Sequence, residues 1–150
     1  PADLKAAHDE MTRRVEVMRA KEREEERKAQ LRKDRKLLEK KRGYFGICFG
    51  TSSVKVTVLS SIEEYEAEGK AMHHCVFTNR YFDKKNSLIL SAKDAGGTRL
   101  ATVELSLNSY KVLQCRAACN ARPERYDEIV KLVESHANDF RKAKKHLQTS

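Results

Sequence analysis

Apolar and polar residues recur with two different periods along this chain, and the change of period divides it near residue 43. In the first part, Leu4, Met11 and Met18 recur every seven residues with Ala7 and Val15 between them, a heptad-like stripe along one side of a helix. The stripe lapses through "KEREEERKAQ", where only Ala29 is offered to a partner, and Leu31, Leu37 and Leu38 resume it. Residues 1–42 contain no Gly, no aromatic residue and no Pro after Pro1; Ala, Glu, Lys, Arg, Leu and Gln dominate, and these are strong helix formers. The pattern predicts one long, mostly exposed helix whose two ends touch something, ended by Gly43. It is supported partly by i,i+4 pairs such as Glu24 with Lys28. A stable coiled coil needs sustained seams, and this one breaks.

From residue 43 the period shortens to two. "YFGICFG" and "VKVTVLS" read as strands separated by the turn signal "GTSS". Ser61 followed by Glu64 fits a capping box for a short helix, "SIEEYEAEGKAM", with Ile62 and Tyr65 toward the core and Gly69 as a stop or kink. "SLILSAK", "LATVELSL" and "YKVLQCRAAC" then supply three further strands. In "PERYDEIVKLVESHANDFRKAKKHL", Pro123 suits a first helical turn. Tyr126, Ile129, Val130, Val133, Ala137, Phe140 and Leu147 there make one continuous apolar face. The predicted fold class is α+β: an antiparallel sheet of about five strands with packed helices, preceded by a long charged helix. The predicted division is a helix over 1–42 and an α+β domain over 43–150.

The last two strands can be read more closely, because a slip of one residue moves every side chain to the opposite face. A two-residue turn at Asn108-Ser109 pairs Val103 with Gln114 and puts an amide among apolar residues. A three-residue turn through Tyr110 pairs Leu107 with Lys111, Glu104 with Gln114 and Thr102 with Arg116. It also keeps Val103, Leu105, Leu113 and Cys115 together. The second register is therefore expected, with Thr102, Glu104, Gln114 and Arg116 on one face. The plain alternative is that this face is simply the wet side of the sheet.

Charge adds a candidate partner. The chain carries 31 Lys and Arg against 22 Asp and Glu, a formal net charge of +9, which favours acidic partners such as DNA or RNA through the basic helix and tail. The cluster "RKDRK…KKR" near the end of the first helix could grip phosphates, although a solvated helix face explains it as well. No apolar run is long enough to span a bilayer, and the start lacks the order of a signal peptide. Cys48, Cys75, Cys115 and Cys119 then read as thiols. A cytoplasmic protein is expected.

Three chemistries compete at "EGKAMHHCVFTNRY", residues 68–81. Zinc is disfavoured: His74 and Cys75 adjoin and would point apart on a strand, and Cys115 and Cys119 straddle a strand end. A Cys75 nucleophile would need a histidine approaching in space and an orienting group such as Glu104, Gln114 or Asn120. Against it, free cysteines often fill a core. The third option is a polar pocket of His74, Glu104, Gln114, Arg116 and Asn120 suited to a phosphorylated or nucleotide-like ligand, or to acid–base work on one. There is no phosphate loop, dinucleotide fingerprint, kinase set or nucleophile elbow, and no cofactor or metal is called for. His136, on the apolar face of the last helix, reads as a core-edge histidine.

The order "EG…MHHCV….Y", "SLIL", "ATVEL", "VLQCRAACN" resembles the PcfJ-like proteins of conjugative plasmids and other mobile elements. The matching positions are Glu68, Gly69, His74, Cys75, Val76, Tyr81, Ser87, Thr102, Glu104, Gln114, Arg116 and Asn120, over roughly residues 45–122. Two positions depart from that family's pattern: Lys93 stands where it has arginine, and Ala117 where it has glycine. The resemblance implies a role in conjugation or conflict between genetic elements, and a conjugation-machinery protein as a further possible partner. It supplies no reaction. The site expected from register and resemblance has His74, Glu104 and Gln114 as candidate catalytic groups, with Lys93, Thr102, Arg116 and Asn120 as ligand-binding groups. On this reading Cys75 points into the core and His73 has no role. Two function classes stay open: a non-catalytic adaptor binding DNA or a transfer-machinery partner, and an enzyme acting on nucleic acid or a nucleotide with His74 and Glu104 as acid and base.

Overall fold

A computed structural model of the chain describes residues 2–74 and 81–149. The order of elements is a long helix α1 (Ala2–Glu39), a 3-10 turn (Arg42–Tyr44), strands β1 (Cys48–Gly50) and β2 (Val54–Val58), and helix α2 (Ile62–Ala71). A second 3-10 turn (Tyr81–Asp83) leads into β3 (Ser87–Asp94), β4 (Arg99–Ser106) and β5 (Val112–Arg116). A third (Ala118–Asn120) precedes helices α3 (Tyr126–Ser135) and α4 (Ala137–Thr149). The five strands form one antiparallel sheet in the order β1-β2-β3-β4-β5. The fold is α+β, as the alternation of periods predicts.

The chain divides into two compact units, Pro1–Asp34 and Arg35–Ser150. In the first, Leu4, Met11 and Met18 of the heptad stripe are exposed. Ion pairs lie along the helix: Glu10 with Arg14 at 3.0 Å, and Glu24 with Arg27 at 2.8 Å. The hydrogen-bonded partner of Glu24 is thus Arg27, three residues on, with Lys28 acting on it only through its charge. α1 ends at Glu39, before Gly43, and Gly43 falls inside the 3-10 turn that follows.

In the second unit the sheet has two differently built faces. One carries Val54, Val56, Val58, Leu88, Leu90, Ala92, Ala101, Val103, Leu105 and Cys115, packed with Ile129 and Val133 of α3 and Phe140 and Ala143 of α4. Full burial of the Val, Leu, Ile and Phe side chains among these stabilises by about 1.5–3 kcal/mol each, so this face is the main core. α2 lies over the other face. Ser61 caps it, accepting from the Glu64 amide at 3.1 Å, while the Glu64 carboxylate reaches back to the Ser60 amide at 2.7 Å. The reciprocal bond of the capping box is therefore made one residue early. Gly69 does not stop α2, which runs on to Ala71.

Three further expectations are corrected. The final helix is two helices, broken at His136. At the break the Leu132 carbonyl accepts from Ser135 Oγ at 2.6 Å and from the His136 ring at 2.9 Å, while the His136 backbone N–H goes to Val133 O, and the helical ladder skips. The ring stacks flat on Phe49, centroids 4.0 Å apart, which fixes the break against β1. Secondly, α3 begins at Tyr126, after Pro123 rather than at it.

The third correction concerns the β4–β5 turn. Its loop holds four residues, Leu107–Tyr110, closed by the Ser106 amide donating to Lys111 O at 2.9 Å, so Leu107 does not pair with Lys111. Tyr110 sits at φ +58° to close the loop. A bulge then places Leu105 opposite Val112 and Glu104 opposite Gln114, and the extra residue, Leu113, is exposed rather than in the core. One residue added in the loop and one absorbed by the bulge cancel. The pairs Glu104–Gln114 and Thr102–Arg116 stand as the hydrophobic pattern requires.

Candidate functional site

The face beneath α2 is polar and yet buried. Alternation along β3 puts Ser87 and Ser91 on it, and their cross-strand partners Ser106 and Thr102 with Glu104 between them on β4. Ser87, Ser91, Thr102 and Glu104 are all buried, so this is not the wet side of the sheet. Two carboxylates organise it.

Glu68 is the first, fully buried, and it arrives from α2 rather than from the sheet. Its Oε1 accepts from Ser91 Oγ at 2.9 Å and from Arg99 Nε at 2.8 Å, and its Oε2 accepts from Thr102 Oγ1 at 2.6 Å. A buried carboxylate is tolerable only when paired and fully hydrogen-bonded, and here three donors meet it. His74 joins this centre through Nε2, 3.0 Å from Thr102 Oγ1. A hydroxyl has one proton, and Thr102 directs it to Glu68, so His74 Nε2 must be the donor to Thr102. The lone pair of that imidazole is then on Nδ1. Burial holds the His74 pKa below its ordinary value, against the opposing pull of the Glu68 charge.

Glu104 is the second. Its Oε2 accepts from Ser87 Oγ at 2.7 Å and its Oε1 from Gln114 Nε2 at 3.0 Å; Lys84 Nζ lies 3.8 Å away. The Gln114 amide also donates to Tyr81 OH at 3.3 Å, and its carbonyl accepts from Arg116 Nε at 3.2 Å. Below Ser87, the buried Lys41 donates from Nζ to the Ser87 carbonyl at 2.5 Å and the Tyr81 carbonyl at 3.3 Å. Burial pushes the Lys41 ammonium down to about 8, opposed by the charges of Asp83 and Glu104.

Of the expected site residues, Glu104 and Gln114 are bonded to each other, and Arg116 is bonded to Gln114. His74 is bonded instead through Thr102 to Glu68. The expected single pocket is therefore two neighbouring centres, with Thr102 and Glu104 two residues apart on one face of β4. Asn120 is exposed at φ +60°, and only its backbone carbonyl takes part, accepting from Arg116 Nη1 at 3.4 Å. Lys93 is half-buried, and its side chain makes no hydrogen bond or ion pair among the described residues. The guanidinium that grips Glu68 comes from Arg99, its partner across the strand. Cys75 lies outside the described residues, so its direction is not specified. Cys115 is buried, its thiol pushed up to about 11 by burial, and Cys119 is exposed.

Sequence reasoning left Glu68, Ser91, Arg99 and Lys41 out of the site. Two signals for Glu68 were present: it is one of the positions that carry the resemblance, and Ile62, Tyr65, Glu68 and Met72 are spaced three, three and four apart, which sets a carboxylate on the apolar side of α2. The alternation of Ser87 and Ser91 with Leu88 and Leu90 likewise put two hydroxyls on the Glu104 face. Lys41 gave no such signal.

Fold and site together define an α+β domain in which one buried carboxylate centre, at Glu68, locks a capping helix onto a meander sheet and a second, at Glu104, ties neighbouring strands together. The family model for PcfJ-like proteins matches residues 1–130, and the chain belongs to that family. The match takes in α1 and so extends well beyond residues 45–122. No curated protein and no solved structure matches the chain. Among the described residues, no helix is long and apolar enough to cross a membrane.

Proposed function

We propose that this PcfJ-like chain serves a mobile genetic element in conjugation, in the cytoplasm, as a non-catalytic domain that binds DNA or a protein of the transfer machinery. One observation carries the non-catalytic part. All four oxygens of Glu68 and Glu104 accept from internal donors, whereas a general base needs an oxygen within reach of a substrate proton. The Glu68 centre is better suited to fastening α2 to the sheet, and the Glu104 centre to joining the strands, than either is to turning over a substrate. The net charge of +9 supports an anionic partner.

A second reading has support from one feature. With its Nε2 proton directed at Thr102 and its pKa lowered by burial, His74 would carry a neutral imidazole with a basic Nδ1. That suits an enzyme acting on nucleic acid or a nucleotide, with His74 as base. Glu104 suits the acid–base role less, being hydrogen-bonded on both oxygens. A His74→Gln variant separates the two. Under the binding reading it holds a labelled DNA oligomer within about twofold of the parent affinity, since no phosphate contact is removed. Turnover of a nucleic acid or nucleotide by the parent protein, abolished in a folded His74→Gln variant, would replace the binding reading with the enzymatic one.

A further inference from the structure

Within the second unit, two basic segments far apart in sequence are brought together. α4 packs against the 3-10 turn Arg42–Tyr44, and Tyr44 shares the main core with Phe140 and Ala143 of α4. Tyr110 continues the junction: its ring lies under the Arg141 guanidinium at 4.8 Å, and it belongs to the same core as Tyr44. Residues 35–42 contain five Lys and Arg against Glu39 alone, and α4 contains four against Asp139 alone. Of the first five, Lys41 is buried and Arg35 is paired with Glu63 at 2.7 Å. Lys36, Lys40 and Arg42 remain exposed there, with Arg141 and Lys142 exposed on α4. Residues 1–34, by contrast, hold ten Lys and Arg against nine Asp and Glu. The conspicuously charged helix is close to neutral, and the positive charge of the protein belongs to the second unit.

Resting on the reading of this chain as a binder of nucleic acid, we propose that the contact surface is the cationic face where α4 meets the 3-10 turn Arg42–Tyr44. Its ligand is the phosphate backbone of a nucleic acid. Lysines and arginines at such a face release counterions from a polyanion without reading bases. An anionic membrane is the competing occupant, and the packing of α4 disfavours it. A membrane-surface helix presents an apolar side to the acyl chains, whereas Phe140 and Ala143 of α4 are buried in the core.

The test is fluorescence anisotropy with a labelled DNA oligomer, single- and double-stranded, over a range of salt. If about four phosphates are neutralised, raising salt from about 50 to 200 mM weakens binding on the order of 10²-fold. The triple variant Lys40→Gln, Arg42→Gln, Lys142→Gln leaves the Arg141–Tyr110 stack intact. It is expected to bind at least about tenfold more weakly, with a salt slope shallower by about three. Removing equal charge from the first unit, as Lys5→Gln, Arg13→Gln, Lys21→Gln, should leave affinity within about twofold. If the parent binds DNA and the Lys40/Arg42/Lys142 variant binds equally well, this surface is wrong while the DNA-binding reading survives. If the parent binds no DNA, both are wrong. Binding to phosphatidylserine vesicles but not to DNA would hand the face to a membrane and overturn the proposal.

Discussion

Glu68 and Glu104 are both buried at the polar face of the sheet, and they reach that position by different routes. Glu104 belongs to the sheet. Its hydrogen-bond partners Ser87 and Gln114 are set by strand register, so both of its short hydrogen bonds follow from pairing. Glu68 belongs to the helix, and its donors Ser91, Arg99 and Thr102 come from two strands it meets only when α2 docks. The Glu104 centre therefore forms with the sheet, whereas the Glu68 centre forms with the tertiary structure. A carboxylate that reports docking ought to matter more to stability than one that reports pairing.

The largest test of that contrast replaces each in turn. Glu68→Ala leaves the Ser91 and Thr102 hydroxyls and the partly exposed Arg99 guanidinium without their shared acceptor and is expected to cost about 3 kcal/mol, the low end for breaking a buried charge pair. Glu104→Ala leaves Ser87 and Gln114 without their acceptor and should cost about 2 kcal/mol. Urea unfolding midpoints measure both, and equal losses would erase the distinction.

The next largest effect is the pH dependence carried by Lys41 at the Glu104 centre. Its folded pKa, about 8, lies below its ordinary 10.5. Between those values the unfolded chain binds more protons, so the unfolding free energy rises with pH across this window, by about 3 kcal/mol in all. Tyrosines and other lysines titrate nearby, so the comparison is with Lys41→Met, in which that rise should be missing.

Smaller differences come from the hydroxyls. Ser91→Ala leaves Glu68 with Arg99 and Thr102 and is expected to cost about 1 kcal/mol. Ser87→Ala leaves Glu104 with Gln114 as its one short hydrogen-bond donor and should cost slightly more, about 1.5 kcal/mol. The reverse order would mean that the Glu68 network is the more fragile.

The smallest effect belongs to His74 on the rim of the Glu68 centre. Its folded pKa is held below the ordinary 6.5, so its unfolded form takes a proton first as pH falls. Its contribution is complete above the ordinary value and is lost as the pH falls below it. Difference curves between the parent and His74→Gln should diverge only on that acid side.

Much of this was legible in the sequence. The five strands, the α+β class and the face shared by Thr102, Glu104, Gln114 and Arg116 followed from period-two alternation, since a pleated strand sends successive side chains to opposite sides. The register survived a wrong loop length because Leu113 could bulge outward, and burial of Val103, Leu105 and Cys115 penalised every other pairing. His136 shows a limit: the apolar spacing runs unbroken through it, and only its ring bond to Leu132 and its stack on Phe49 break the helix.

The chain alone set which residues alternate, which short helix Ser61 would cap, and that Glu104 would face Gln114, because those are contacts between neighbours in a periodic chain. Tertiary structure alone decided that Arg99, rather than Lys93, grips Glu68, that Lys41 is buried beneath Ser87, and that α4 lies against the Arg42–Tyr44 turn. These depend on how elements distant in the chain dock. Docking is set by the summed burial and hydrogen bonding of many side chains, which no local period encodes.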